Sequence, residues 1–341
     1  MDEIKNIIVT HGEDPDGIIS NALLGIRLRS NFKRYFVGYS QLVEFFQRLS
    51  QSEEEIKDKN LYFADLNCND DILPYLQKIA RLAKSVIWLD HHENTHQNLP
   101  ALERMKIMVV TNLELGVIAF PICSARLVIN LFPRIERNDD ILWLSNFAQA
   151  SDYANECEKH INIWRDRLAT AEKLQAIISF YNYKQDNQAL QELADKLASG
   201  KDWYNNGELD DGLQGVLKKY VEESTQAKQN LLVNSSRCDI GNYKFSLHFA
   251  SGLVYSKDTM RRVLEKLPAD ITGVIVVFGN PANNALFFKG DDSFNAVPFC
   301  HYMGGGGRGS NGGFPVNADA LVTNLAIRAK IVEKLQEFYQ R

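Results

Sequence analysis

The chain has 341 residues, 45% of them hydrophobic, 24% charged and 10% aromatic, with a formal net charge of −5. These figures exclude collagenous, coiled-coil and disordered chains and, at roughly 150 residues per domain, predict two domains. The acidic balance also excludes a protein that grips long duplex nucleic acid through its own basic surface, so an anionic substrate would need local help such as metal ions. From Asn6 to about Phe132, short apolar runs alternate with helically patterned stretches such as Ile18 to Leu28. The runs are Ile7 to Thr10, Arg34 to Val37, Leu61 to Ala64, Val86 to Leu89 and Lys106 to Val110. Such alternation reads as βαβ units and predicts a parallel sheet in an α/β domain over residues 1–160. From about Asn138 to Ser235 proline is absent and helical spacing repeats, as in Leu213, Val216, Leu217, Tyr220 and Val221, which predicts a helical connector over residues 161–235. Strand patterns return at Tyr243 to Phe249, Ile271 to Phe278 and Ala285 to Lys289, with helices beginning near Asp258 and running from about Asp319 to Tyr339. Residues 236–341 therefore read as a smaller α/β domain.

Ligands of open α/β sheets bind outside the carboxyl ends of the strands, where His11, Asp65 and the triplet Asp90-His91-His92 fall. The first constellation, His11-Gly-Glu-Asp14-Pro-Asp16-Gly17, places hard oxygen donors and one borderline nitrogen donor within a single turn. That mixture suits Mn²⁺, with Mg²⁺, Co²⁺ and Zn²⁺ as competitors. The competing reading is an acidic loop in which Asp14 or Asp16 caps the helix starting at Gly17. Asp65, after the run Leu61-Tyr-Phe-Ala, could equally cap a helix, and it gains weight only from its neighbours. In the triplet, successive residues leaving a strand point in different directions, so one histidine can ligate metal while the other faces substrate and the aspartate holds an imidazole tautomer. Asp152 completes the set of buried-looking acids. Seven of the 21 glycines lie between Gly304 and Gly313. Their position just before a long helix favours an anion-binding nest of inward-turned N–H groups over a flexible linker. Arg308 inside that run and Lys289 at a strand end are the cations available to an anion there.

Together these segments resemble the DHH phosphoesterase family, whose naming triplet stands here as Asp90-His91-His92. The glycine run resembles the loop of the DHHA1 domain that often follows. The resemblance covers motifs in the expected order over nearly the whole chain: His11 to Gly17, Asp65, Asp90 to His92, Asp152 and Gly304 to Gly307. It implies a parallel-sheet DHH domain, a helical connector and a DHHA1-like substrate-binding domain. It further implies a dinuclear Mn²⁺ centre, with Mg²⁺ or Co²⁺ as substitutes. His11, Asp14 and Asp65 would hold one ion. Asp16, Asp65, His91 and Asp152 would hold the other, Asp65 bridging. His92 would meet the scissile phosphate and Asp90 would orient an imidazole. Two ions about 3.5 to 4 Å apart can activate a water and clamp phosphate oxygens during in-line attack. The chain departs from the family pattern in two places. Its first element reads H-x-x-D-x-D with Glu13 beside Asp14, leaving either acid as a ligand of the first ion. Its glycine run is followed by Arg308 where the family has histidine, and an arginine binds phosphate but transfers no proton at neutral pH.

The resemblance implies a phosphoesterase of the oligoribonuclease or nanoRNase branch, cleaving short single-stranded oligonucleotides or pAp-like nucleotides held by Gly305, Gly306, Gly307, Arg308 and Lys289. The alternatives are a RecJ-like single-strand exonuclease, a cyclic or linear dinucleotide phosphodiesterase, and an inactive binding subunit; the oligomeric state stays open between a monomer and a homodimer. No run of about 18 uncharged apolar residues occurs and no secretory signal opens the chain, so no membrane partner and a cytoplasmic location are expected. The cysteines, Cys68, Cys123, Cys157, Cys238 and Cys300, are scattered and read as buried free thiols.

Overall fold

The computed structural model describes residues 4–111, 121–133, 137–205, 207–233, 235–250, 266–278, 284–288, 294–308, 311–316 and 324–340. The chain divides into two compact units, Met1–Leu217 and Lys218–Arg341.

In the first unit every apolar run read from the sequence forms a strand. The strands are β1 (Asn6–His11), β2 (Phe32–Val37), β3 (Asn60–Ala64), β4 (Ser85–Leu89) and β5 (Met108–Val110). They pair in parallel in the order β2-β1-β3-β4-β5. The helices between them are α1 (Pro15–Leu28), α2 (Leu42–Gln51), α3 (Glu53–Ile56), α4 (Leu73–Leu82), α5 (Glu93–Gln97) and α6 (Leu99–Arg104). After β5 come α7 (Ser124–Val128), α8 (Asp139–Asp152), α9 (Ala154–Glu158), α10 (Ile161–Tyr183) and α11 (Asn187–Ala198). The runs are unbroken because both sheet faces are covered. Ile7, Val9, Phe63 and Trp88 pack with Phe46 of α2 and Leu76 of α4 on one face. Ile8, Ala64 and Leu89 pack with α1, α7, α8, α10 and α11 on the other. Helices α10 and α11, within the stretch read as a connector, thus contribute Leu174, Ile177, Leu190 and Leu193 to the first unit's core. A small hairpin of β6 (Tyr204–Asn205) and β7 (Glu208–Leu209) precedes α12 (Asp211–Val233).

The second unit holds β8 (Ser235–Ile240), β9 (Tyr243–Ala250), β10 (Gly273–Phe278), β11 (Asn284–Phe288), α13 (Val297–Tyr302), β12 (Gly306–Arg308), β13 (Asn311–Pro315) and α14 (Asn324–Tyr339). The sheet order is β12-β13-β11-β10-β9-β8, antiparallel except for β9 with β10. One face buries Phe245, Phe287, Phe299 and Phe314 with Ile331 and Leu335 of α14. The helix expected near Asp258 lies outside the described residues.

The glycine run departs from its expected conformation. A nest needs successive residues of opposite handedness, yet of the run's described glycines only Gly304 has positive φ, at 78°. Gly306 and Gly307 instead pair in an antiparallel ladder with Gly313 and Gly312. Space explains two of the glycines: a Cβ on Gly305 would lie 2.0 Å from the Gly313 carbonyl oxygen, and one on Gly312 would lie 2.6 Å from Cys300 Sγ. Cys68, Cys123, Cys157 and Cys300 are buried free thiols as expected, and Cys238 is half-buried. No helix among the described residues is long and apolar enough to cross a membrane.

Candidate metal centre

Three strand exits and two helix termini bring the predicted acids and histidines together in the first unit. His11 closes β1. Its Nδ1–H donates to the Val37 carbonyl at 3.2 Å, which leaves Nε2 as the free lone pair, 3.5 Å from Asp14 Oδ2 and 3.8 Å from Glu13 Oε2. A backbone partner on the far ring nitrogen is how metal-binding imidazoles are fixed in one tautomer. Asp14 answers to both readings of its motif: Oδ1 caps α1 by accepting from Gly17 N at 3.1 Å, while Oδ2 faces His11. The turn is tight enough that a Cβ on Gly17 would meet the His11 carbonyl oxygen at 2.0 Å. Two side chains of α10 hold it from outside: Gln175 Nε2 donates to Glu13 O at 2.8 Å and Asn182 Nδ2 to Gly12 O at 2.7 Å.

Asp16 follows on α1 and is fully buried. Its two oxygens accept from Ala125 N and Ser124 N, both at 2.7 Å, where α7 begins. Burial, then the charge of Asp152, push its carboxyl up from 3.8 to about 7. Asp65 leaves β3 with φ of 57°, a left-handed conformation that a short polar side chain tolerates and that concentrates at functional sites. Ser124 Oγ donates to its Oδ1 at 3.2 Å, and its Oδ2 is buried with no partner. Burial and the charge of Asp16 hold Asp65 well above the usual carboxylate range.

The triplet behaves as two histidines with separate duties. His91 Nε2 lies 3.0 Å from Asp152 Oδ2, 3.5 Å from Asp65 Oδ1 and 3.9 Å from Asp16 Oδ2, yet it satisfies hydrogen-bond geometry with none of them. Burial disfavours its charged form, but Asp152 and Asp65 outweigh it and hold the imidazole well above its ordinary range. Its Nδ1–H donates to the Tyr153 hydroxyl at 2.6 Å. His92 turns away: Nδ1–H donates to Asp90 Oδ1 at 2.7 Å, and Nε2 meets the Tyr39 hydroxyl at 3.0 Å. Burial opposes the charge on His92, and Asp90 raises its pKa regardless. Asp90 is itself fully buried, and burial would raise it, but His92 and the donating Thr95 hydroxyl keep it below its ordinary value.

Ligand atoms of Asp16, Asp65, His91 and Asp152 all lie within 4.8 Å of one another, and so do those of Asp65, Asp90, His91 and His92. Three carboxylates around one imidazole nitrogen, with Asp65 Oδ2 and His91 Nε2 buried and unbonded, are a donor set that a hard or borderline divalent cation satisfies and that protein groups alone leave in mutual repulsion. The second unit places Gly305, Gly306, Gly307 and Arg308 at the edge strand β12 and the turn before it. Lys289 lies outside the described residues.

The sequence reading missed Tyr39, whose ring stacks on His11 at 4.2 Å between centroids. It also missed Ser124, the Ala125 amide, Thr95 and Tyr153. The one local signal was the tyrosine directly after Asp152, a hydroxyl placed beside an acid of the set.

No family model and no curated protein sequence matches this chain. Solved structures do. A DHH-domain protein assigned to a family of ribosomal proteins is 12% identical, with a TM-score of 0.60 over 96% of this chain and 87% of that one. The exonuclease RecJ bound to manganese is 14% identical, with a TM-score of 0.58 over 99% and 91%. A pGpG-specific phosphodiesterase from Vibrio cholerae is 12% identical, with a TM-score of 0.51 over 97% and 98%. With the parallel sheet, the second mixed sheet and the Asp90-His91-His92 exit in place, the chain has the fold of the DHH-domain proteins.

Proposed function

We propose that this chain is a metal-dependent phosphoesterase that hydrolyses short oligonucleotides or pAp-like nucleotides, with Mn²⁺ as its working ion. The observation that carries the reading is the convergence of Asp16, Asp65, His91 and Asp152 on one buried point with donor atoms left unbonded. His11, Asp14 and Asp65 would hold one ion, and Asp16, Asp65, His91 and Asp152 a second. Bound there, divalent ions supply Lewis-acid charge for phosphate oxygens and lower the pKa of water. The protein's own groups do the rest. Tyr153 and the Val37 carbonyl fix the rings of His91 and His11. The amides of Ser124 and Ala125 fix both oxygens of Asp16. Asp90 raises the pKa of His92, which favours the form whose outer edge offers an N–H to a phosphate oxygen once the Tyr39 hydroxyl yields. Arg308, Gly305, Gly306, Gly307 and Lys289 are assigned to the rest of the substrate. Likeness in fold to a manganese-bound exonuclease and to a pGpG-specific phosphodiesterase supports this reading.

The test is incubation with Mn²⁺ and a panel of pAp, pApA, a cyclic dinucleotide, a five-nucleotide RNA and a thirty-nucleotide single strand, beside Asp65→Asn. Fastest mononucleotide release from the shortest linear RNA is expected. Preference for the long strand would replace the short-substrate reading with a processive exonuclease, and no metal-dependent turnover of any member would leave a binding subunit.

A further inference from the structure

A second anion-seeking cluster stands in the first unit, outside the metal centre. Arg126, the third residue of α7, donates from its guanidinium to Asn146 Oδ1 and lies 5.9 Å from the Trp164 ring centroid, while its Nε is buried with no partner. Arg167 of α10 lies 5.5 Å from the same ring and, among the described residues, donates to the Ile163 carbonyl of its own helix. Among the described residues neither guanidinium has a carboxylate partner. Partly buried cations without a counter-ion are costly, and two of them against one indole repel each other. Burial raises the Cys157 thiol, and Arg126 and Arg167 both oppose that rise while Glu156 adds to it, so both guanidinium groups lie within electrostatic reach of the same thiol. The chain ties the pair to the metal centre: α7 begins with the Ser124 and Ala125 amides that hold Asp16, and Cys157 N bonds the carbonyl of Tyr153, whose hydroxyl holds His91.

We propose that Arg126 and Arg167, sharing Trp164 as a platform, bind a second, non-scissile phosphate of the substrate. This rests on the phosphoesterase reading and narrows its substrate to nucleotides carrying a phosphate beyond the one attacked. Guanidinium groups suit the task because each presents a planar pair of donors to phosphate oxygens, and an acidic chain of net charge −5 needs such a local cation to hold a polyanion.

The experiment is calorimetry on the Mn²⁺-loaded protein with a dinucleotide whose linkage is a non-hydrolysable methylene phosphonate, bearing a 5′-phosphate, a 3′-phosphate or neither. One terminal phosphate should tighten binding about tenfold, as charge-assisted hydrogen bonds do. Arg126→Gln and Arg167→Gln should each reduce that gain to under about threefold while leaving the unphosphorylated compound unchanged. Equal affinity of all three compounds for the wild type, or a gain that survives in both variants, overturns the proposal. If Arg126→Gln fails to fold by thermal melting, Arg167→Gln, on the partly exposed side of α10, carries the test alone. A phosphate gain lost in the variants, in a protein that turns over no unmodified dinucleotide, would uphold this site while removing the phosphoesterase reading.

Discussion

Two segments stand out in the sequence, His11 to Gly17 and Gly304 to Gly313, and they prove to be opposite kinds of signal. In the first, unusual composition encodes chemistry: Asp14 caps a helix with one oxygen and faces His11 with the other, and Asp16 is buried with its charge aimed at His91. In the second, two of the glycines answer to space. Gly305 and Gly312 lie where a Cβ would strike a carbonyl oxygen or a thiol, and β12 and β13 pair as antiparallel strands. Acids placed where burial penalises them need a functional explanation, whereas the absence of a side chain at Gly305 and Gly312 is already required by lack of room.

The strongest way to break the comparison is Asp65→Asn. If the acids are there for metal, the substitution should cut Mn²⁺ affinity and turnover by more than the ~100-fold that orienting partners of ligands command, measured by calorimetry and by nucleotide release. The glycines give the next largest effect. Gly17→Ala and Gly305→Ala should each destabilise by about 3 kcal/mol or more, because backbone stands 2.0 Å from the new Cβ, but only Gly17→Ala should also weaken Mn²⁺ binding; equal weakening by both would dissolve the distinction. Protonation gives a third handle. Asp16 and Asp65 have folded pKa values raised above their ordinary 3.8, so in the metal-free protein the native state holds protons that the unfolded chain has released, and stability falls as pH rises from about 4 through 7. His91 and His92, raised above 6.5, act in the same direction at higher pH. The melting temperature without metal should therefore drop by several degrees between pH 5 and pH 8, and the gain from Mn²⁺ should grow over that range because the ligands must be deprotonated. A metal-free melting temperature that rises with pH would contradict the buried-acid account. The smallest effect expected is for Tyr153→Phe, which removes the acceptor from His91 Nδ1 and should cost about tenfold in Mn²⁺ affinity.

Much of the sheet was legible because its strands are buried on both faces and write themselves as unbroken apolar runs; Ile7 to Thr10, Leu61 to Ala64 and Val86 to Leu89 fall inside β1, β3 and β4. The exits of those strands placed His11, Asp65 and the triplet by the same logic. Asp152 was another matter: its apolar surroundings marked it only as a buried-looking acid at the end of α8, and the family resemblance alone gave it a role as a ligand. Tyr39 and Ser124 were invisible because their contacts are tertiary, and Thr95, only five residues from Asp90, carries no motif that marks it. Ser124 lies 59 residues from Asp65 and 108 from Asp16 in the chain. The glycine run was misread as a nest because sequence reports the absence of a Cβ without reporting whether freedom of φ or lack of room requires it.

The central claim is that the buried acids and histidines of the first unit are a metal centre organised around Asp65. Calorimetric titration of Mn²⁺ into metal-free protein at pH 7.5, wild type beside Asp65→Asn, tests it without any assumption about substrate. The account predicts two ions per chain in the wild type and loss of tight binding in the variant. No binding to the wild type, or the same binding in both proteins, would contradict it.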